Sequence, residues 1–84
     1  MYVISHIKEA GKREFIYSDH YTGGYPGISD HVEGSWFYTY EAATSYIDTM
    51  DKCNFWEKLG ISKKDVRIEM VVVSYIFTKV KEYK

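Results

Sequence analysis

The stretch SDHYTGGYPGISDH, Ser18 to His31, spells Ser-Asp-His twice around glycines, tyrosines and the chain's single proline. Residues of these types can bind a metal, arm a nucleophile, cradle a phosphate or hold a partner. As a metal site, Asp19, His20, Asp30 and His31 would supply the donors. Working ligand pairs sit at short fixed spacings on rigid elements. Here the two pairs lie at opposite ends of a glycine-rich segment, where Asp and Ser more often satisfy their own backbone in Asx and ST turns. No metal and no cofactor are expected.

Nucleophilic catalysis has no better footing. Ser18 and Ser29 neighbour Asp and His in sequence, but triads are assembled in space, and adjacent residues point in different directions. The chain has no G-x-S-x-G elbow, and Cys53 falls on an amphipathic stretch where packing is its expected role. The expectation is a protein without catalytic residues. The run TGGYPG (Thr22 to Gly27) matches neither the Walker nor the dinucleotide glycine pattern. No Lys or Arg occurs between Arg13 and Lys52, so a phosphate would meet few cations.

What fits these residues is recognition. Tyr, Ser, Gly, Asp and His bind through rings of low entropy cost and adaptable hydrogen bonds. The candidate partner-binding residues are His20, Tyr21, Tyr25 and His31 in a loop from Asp19 to Gly34, with Trp36 and Tyr38 beside it. Pro26 would stiffen the tip. The competing reading is an ordered surface loop whose tyrosines pack on their own sheet.

The composition agrees. Nine Tyr, four Phe and two Trp in 84 residues are fifteen rings, more than a core of this size can hide. The surplus must face outward, where amphipathic rings are preferred contact groups. Eleven basic side chains balance twelve acidic ones, which excludes a non-specific nucleic-acid binder and an acidic nucleic-acid mimic alike. One cysteine leaves no internal disulfide and fits a reducing cytoplasm. The first residues do not read as a signal peptide, and the longest apolar run, Met70 to Val73, is far too short to cross a bilayer.

The elements that would position these residues form one domain, residues 1–84. YVISHIK (Tyr2 to Lys8) alternates and reads as a strand, with Val3, Ser5 and Ile7 on one face and Tyr2, Ile4 and His6 on the other. A glycine turn leads to a second strand, Arg13 to Ser18. Ser35 to Thr39 reads as a short third strand. A helix follows, with Thr39 as its cap, Glu41 in the first turn, and Ala43, Tyr46, Ile47 and Met50 at i, i+3, i+4, i+7. Asn54, Glu57 and Gly60 mark a second short helix, and Ser62 with Asp65 a further turn. Val66 to Val80 reads as one long strand, apolar on both faces in its second half.

The predicted architecture is α+β: a three- to four-stranded, mostly antiparallel sheet (β-β-β-α-β) with one main helix across one face. The last strand is expected beside the first and parallel to it. The sheet face away from the helix is predicted to lack cover, which makes Val71, Val73, Tyr75 and Phe77 a candidate self-association surface for a homodimer.

The run GISDHVEGSWFYTYEAATSYI, Gly27 to Ile47, resembles a pattern common in small phage and mobile-element proteins, carried here by Phe37, Thr39, Glu41, Ala42, Ala43, Tyr46 and Ile47. Among compact phage proteins with known roles, many bind and disable host machinery, including anti-CRISPR and other anti-defence inhibitors. The resemblance implies a cytoplasmic inhibitor that sterically blocks a host or defence protein. It carries over no site residues. The alternatives are a sponge for a small molecule or nucleotide signal, stacked on Tyr21, Tyr25 and Trp36, and a structural homo-oligomeric domain.

Overall fold

The computed structural model describes residues 1–8, 11–73 and 76–83, without the side chains of His20 and Val73. Its five strands are β1 (Tyr2–Ile7), β2 (Arg13–Asp19), β3 (Tyr25–Ser29), β4 (Val66–Val73) and β5 (Ile76–Glu82). They form one sheet in the order β3-β2-β1-β4-β5, antiparallel throughout. The helices α1 (Tyr40–Cys53) and α2 (Phe55–Leu59) lie between β3 and β4 in the chain. The α+β class and the single main helix agree with the sequence; three details do not.

The first concerns the loop from Asp19 to Gly34. Part of it is a 3₁₀ turn (His20–Thr22) and the edge strand β3, paired to β2 as Tyr17↔Gly27 and Ser18↔Pro26. Pro26 is tolerated because an edge strand has one side with no neighbour to receive an N–H. The second concerns Ser35 to Thr39, which contributes only one bridge: Tyr2 and Phe37 exchange both backbone hydrogen bonds at 2.8 Å. β2 already occupies that side of β1 from Ile4 to Ile7, so only Tyr2 is left to pair.

The third is the long final strand, which is two antiparallel strands, β4 and β5. No Gly, Pro or Asn interrupts VVVSYIF to announce a reversal. β4 does lie beside β1, but antiparallel to it. The chain enters the helical layer at the Tyr2 end of β1, through Phe37, and leaves it at the other end, where Val66 pairs with His6. A strand starting there can only run against β1.

α1 forms as its pattern dictates. Thr39 Oγ1 accepts from the Ala42 N–H at 3.0 Å, and Ala43, Tyr46, Ile47 and Met50 are its buried residues. They pack on Ile4, Ile16, Val66 and Ile68 of the sheet, with Phe55 and Ile61 completing the cluster. Asn54 does not cap α2 with its side chain; it sits left-handed at φ 54°, ends α1, and donates to Glu57. Gly60 ends α2 at φ 69°, a left-handed position that suits glycine. Asp51 ties the helix end down by accepting from Trp56 Nε1 at 2.8 Å and Lys63 Nζ at 2.7 Å. Burial pushes the Asp51 carboxyl up, and these two donors outweigh it and hold it low.

The other sheet face is not bare. Val32, from the segment after β3, packs there with Val3, Phe15, Val71 and Phe77. Phe15 and Phe77 belong to strands three places apart, roughly 14 Å in a flat sheet, yet their ring centroids are 5.7 Å apart. The sheet therefore curls over its centre, where Val3 and Ser5 of β1 and Glu69 and Val71 of β4 lie between the two rings. Within that hollow Glu69, 2% exposed, accepts from Arg13 Nε at 2.9 Å, from Arg13 Nη2 at 3.0 Å and from Ser5 Oγ. The Arg13 guanidinium also lies 4.2 Å from the Phe77 ring centroid. Of the expected self-association surface, Val71 is thus buried and Phe77 is half-buried against the protein's own sheet. The side chain of Val73 and all of Tyr75 lie outside the described residues.

Tyr83 closes the helix side of the sheet, its ring flanked by Lys63 and Lys81. Burial, reinforced by Tyr40, Asp48 and Asp51, pushes its hydroxyl up from 10.0 to about 12. The fold thus favours the neutral phenol. The stability this contributes is complete below the unfolded-chain pKa of about 10 and is lost as pH rises toward 12. Thermal midpoints followed from about pH 9 to 12 should fall more steeply for the parent than for Tyr83→Phe. Parallel curves would show that Tyr83 does not carry the effect.

Candidate functional site

The segment after β3 changes faces. Val32 packs on the curled face, whereas the Phe37 ring lies tilted against Tyr46 of α1, centroids 5.6 Å apart. The Tyr2↔Phe37 bridge places the crossing where β2 has parted from β1. This leaves a groove of about 590 Å³ between β2, the crossing segment and α1. Tyr17 and Ser18 form one wall, Gly34, Trp36, Phe37 and Tyr38 the other, and Ala42, Ser45, Tyr46 and Thr49 the helical side. No charged side chain lines it.

Local sequence builds each wall. Ala42, Ser45 and Thr49 recur at i, i+3, i+7, so α1 presents small side chains to the groove beside its apolar stripe. Tyr46 joins the two sides: its hydroxyl donates to the Gly24 carbonyl at 2.8 Å. Burial pushes that hydroxyl up, with Asp19 and Cys53 adding to the effect against a hydrogen bond with Ser18. Tyr17 lies over Gly27 on the neighbouring strand, in the space a Cβ there would occupy.

The sequence-derived residues divide. Trp36 and Tyr38 line the groove. Tyr21 stands fully exposed on the 3₁₀ turn that follows β2, and Tyr38 is 83% exposed. Tyr25 is engaged within the fold, its ring 5.2 Å from Phe55 with Lys58 Nζ 4.5 Å above it. His31 is exposed but lines a different depression, of about 460 Å³ on the curled face, with Arg13, Asp30, Glu33 and Phe77. The His20 side chain lies outside the described residues. Tyr17 and the α1 positions escaped the sequence reading. The i, i+3, i+7 row of small residues was the available signal for the latter.

The two Ser-Asp-His triplets serve the backbone. Asp19 Oδ1 accepts from the Tyr21 N–H at 2.9 Å, and Ser29 Oγ from the His31 N–H at 3.0 Å. Asp30 pairs with Lys12 at 3.3 Å. Among the described residues no three His, Cys, Asp or Glu side chains converge as a metal site would need.

The rings sort by partner. Tyr2 with Tyr40, Phe15 with Phe77, Tyr25 with Phe55 and Phe37 with Tyr46 make ring pairs. Trp56 donates to Asp51, and Tyr83 is flanked by lysines. Among the described residues the rings with no ring, cation or hydrogen-bond partner are Tyr17, Tyr21, Trp36 and Tyr38. Three line the groove, and the fourth stands on the turn beside its β2 wall.

No family model matches this chain, and neither a curated protein nor a solved structure matches it. Among the described residues no helix is long and apolar enough to cross a membrane.

Proposed function

We propose that the chain is a non-enzymatic protein-binding module that engages its partner through the Trp36–Tyr38 groove and the adjacent Tyr21. The observation that carries this is the gathering of the unpartnered rings at one groove. Aromatic anchors in a central pocket dominate the energetics of protein interfaces. The narrower form is a phage-type inhibitor that occludes a functional surface of a host or defence protein. It draws its support from the resemblance across Gly27–Ile47, a run that spans the end of β3, the crossing segment and the first half of α1.

The test is capture from a bacterial lysate by the immobilised parent and by Trp36→Ala/Tyr38→Ala. The parent should retain a protein that the variant loses by at least about tenfold, with both chains showing the same thermal midpoint. An identical captured set would end the reading. A second reading has one observation of its own: a groove of about 590 Å³ is the size of a small-molecule site. Its uncharged lining favours a neutral planar compound over a nucleotide phosphate. Thermal stabilisation by nucleosides but not by any captured protein would select it.

A further inference from the structure

We infer that the groove receives a positively charged segment of its protein partner, with an arginine or lysine side chain lying across Trp36 and Tyr38. This rests on the protein-binding reading and adds the chemistry of what is bound.

The argument begins with how this protein uses its own cations. Arg13 lies over Phe77, Lys58 over Tyr25 and Phe55, and Lys63 and Lys81 over Tyr83. Each of these cations comes from Arg13 or from beyond residue 51. Between Arg13 and Lys52 there is none, and that interval supplies every residue lining the groove. Tyr17, Trp36 and Tyr38 therefore have ring faces of the kind that holds a cation elsewhere in the fold, and no cation to hold.

Charge around the groove points the same way. Asp19 acts on the hydroxyl of Tyr46 in the groove, and Glu33 lines a neighbouring depression that shares Tyr17 and Gly34 with it. Among the described residues neither of these two carboxylates makes an ion pair. The interval is thus aromatic in its groove and anionic on its flanks. A cationic side chain entering it gains both the ring quadrupoles and the carboxylate field, whereas an acidic peptide or a nucleic acid meets like charge.

The experiment uses three capped pentapeptides, Gly-Arg-Gly-Arg-Gly and its Gln and Glu counterparts, titrated into the full chain. Binding is read from the indole N–H resonances of Trp36 and Trp56, which Trp56→Phe assigns. The Arg peptide should move Trp36 and leave Trp56 in place, and should bind at least about tenfold more tightly than the Gln peptide. Its affinity should fall about fivefold between low salt and 0.3 M, and about twofold in Glu33→Gln. Trp36→Ala/Tyr38→Ala, followed by backbone amide shifts, should abolish it. Equal binding of the Gln peptide would overturn the charge assignment while leaving the groove a protein site. Arg-peptide binding that survives Trp36→Ala/Tyr38→Ala would overturn its placement. No shift of Trp36 with any peptide at millimolar concentration would overturn the inference outright, and the lysate comparison would then decide the protein-binding reading by itself.

Discussion

Arg13→Ala is expected to lower the unfolding free energy by about 3 to 5 kcal/mol, a large share of what a domain this size possesses. Glu69 is 2% exposed and takes both of its fork hydrogen bonds from Arg13. Removing the guanidinium leaves a carboxylate in the hollow of the curled sheet with Ser5 Oγ as its remaining side-chain donor. It also strips Phe77 of the group packed 4.2 Å from its ring. Urea unfolding gives the size of the loss. The double variant Arg13→Met/Glu69→Gln separates the two causes: it removes the stranded charge and keeps most of the packing, so it should recover more than half of the deficit. A double variant no better than Arg13→Ala would show that the charge was not the reason.

Gly27→Val should be the second effect, about 1 kcal/mol, the low end of an overpacking cost because what the new side chain meets is the far end of the half-exposed Tyr17 ring. A Cβ at Gly27 would overlap the Tyr17 ring and hydroxyl directly across the β2–β3 pair. The ring must then leave its place, and with it one wall of the groove moves. The same substitution in a Tyr17→Ala background should cost little, because the clash has gone. That coupling, measured as a double-mutant cycle, distinguishes close approach from loss of an edge strand. Gly27→Val should also weaken the Arg-peptide titration, since a displaced Tyr17 no longer faces Trp36 and Tyr38 across the groove. Equal costs in both backgrounds would show that Tyr17 does not constrain this position.

Much of the helical layer could be read directly. Thr39, Glu41 and the stripe from Ala43 to Met50 obey local rules, and Gly60 stops α2 where a left-handed residue is needed. β3 was concealed because Pro26 and Gly27 are turn residues in most contexts. Their tolerance depends on an open edge and on a ring from the strand beside them, and neither is local. The split between β4 and β5 was concealed because nothing in VVVSYIF is a turn former. The antiparallel course of β4 depends on the end at which the helical layer releases the chain.

The candidate site shows the same division. An excess of aromatic rings over interior volume follows from composition, and so does the absence of cations between Arg13 and Lys52. Which rings are surplus does not. Tyr25 and Tyr21 sit in the same run of residues, yet one lies against Phe55 beneath Lys58 and the other is wholly exposed. Tyr17 reads as an ordinary strand residue until Gly27 arrives beside it.

Composition, periodicity and capping settled the class of fold, the position of α1 and the sign of charge over residues 14–51, because each depends on side-chain chemistry or on neighbours within a turn. Tertiary structure alone decided that the segment after β3 would cross the sheet where β2 parts from β1. That crossing puts Trp36 and Tyr38 opposite Tyr17. The reason is a competition among backbone groups distant in sequence: β2 satisfies β1 from Ile4 to Ile7, Tyr2 remains, and Phe37 takes it.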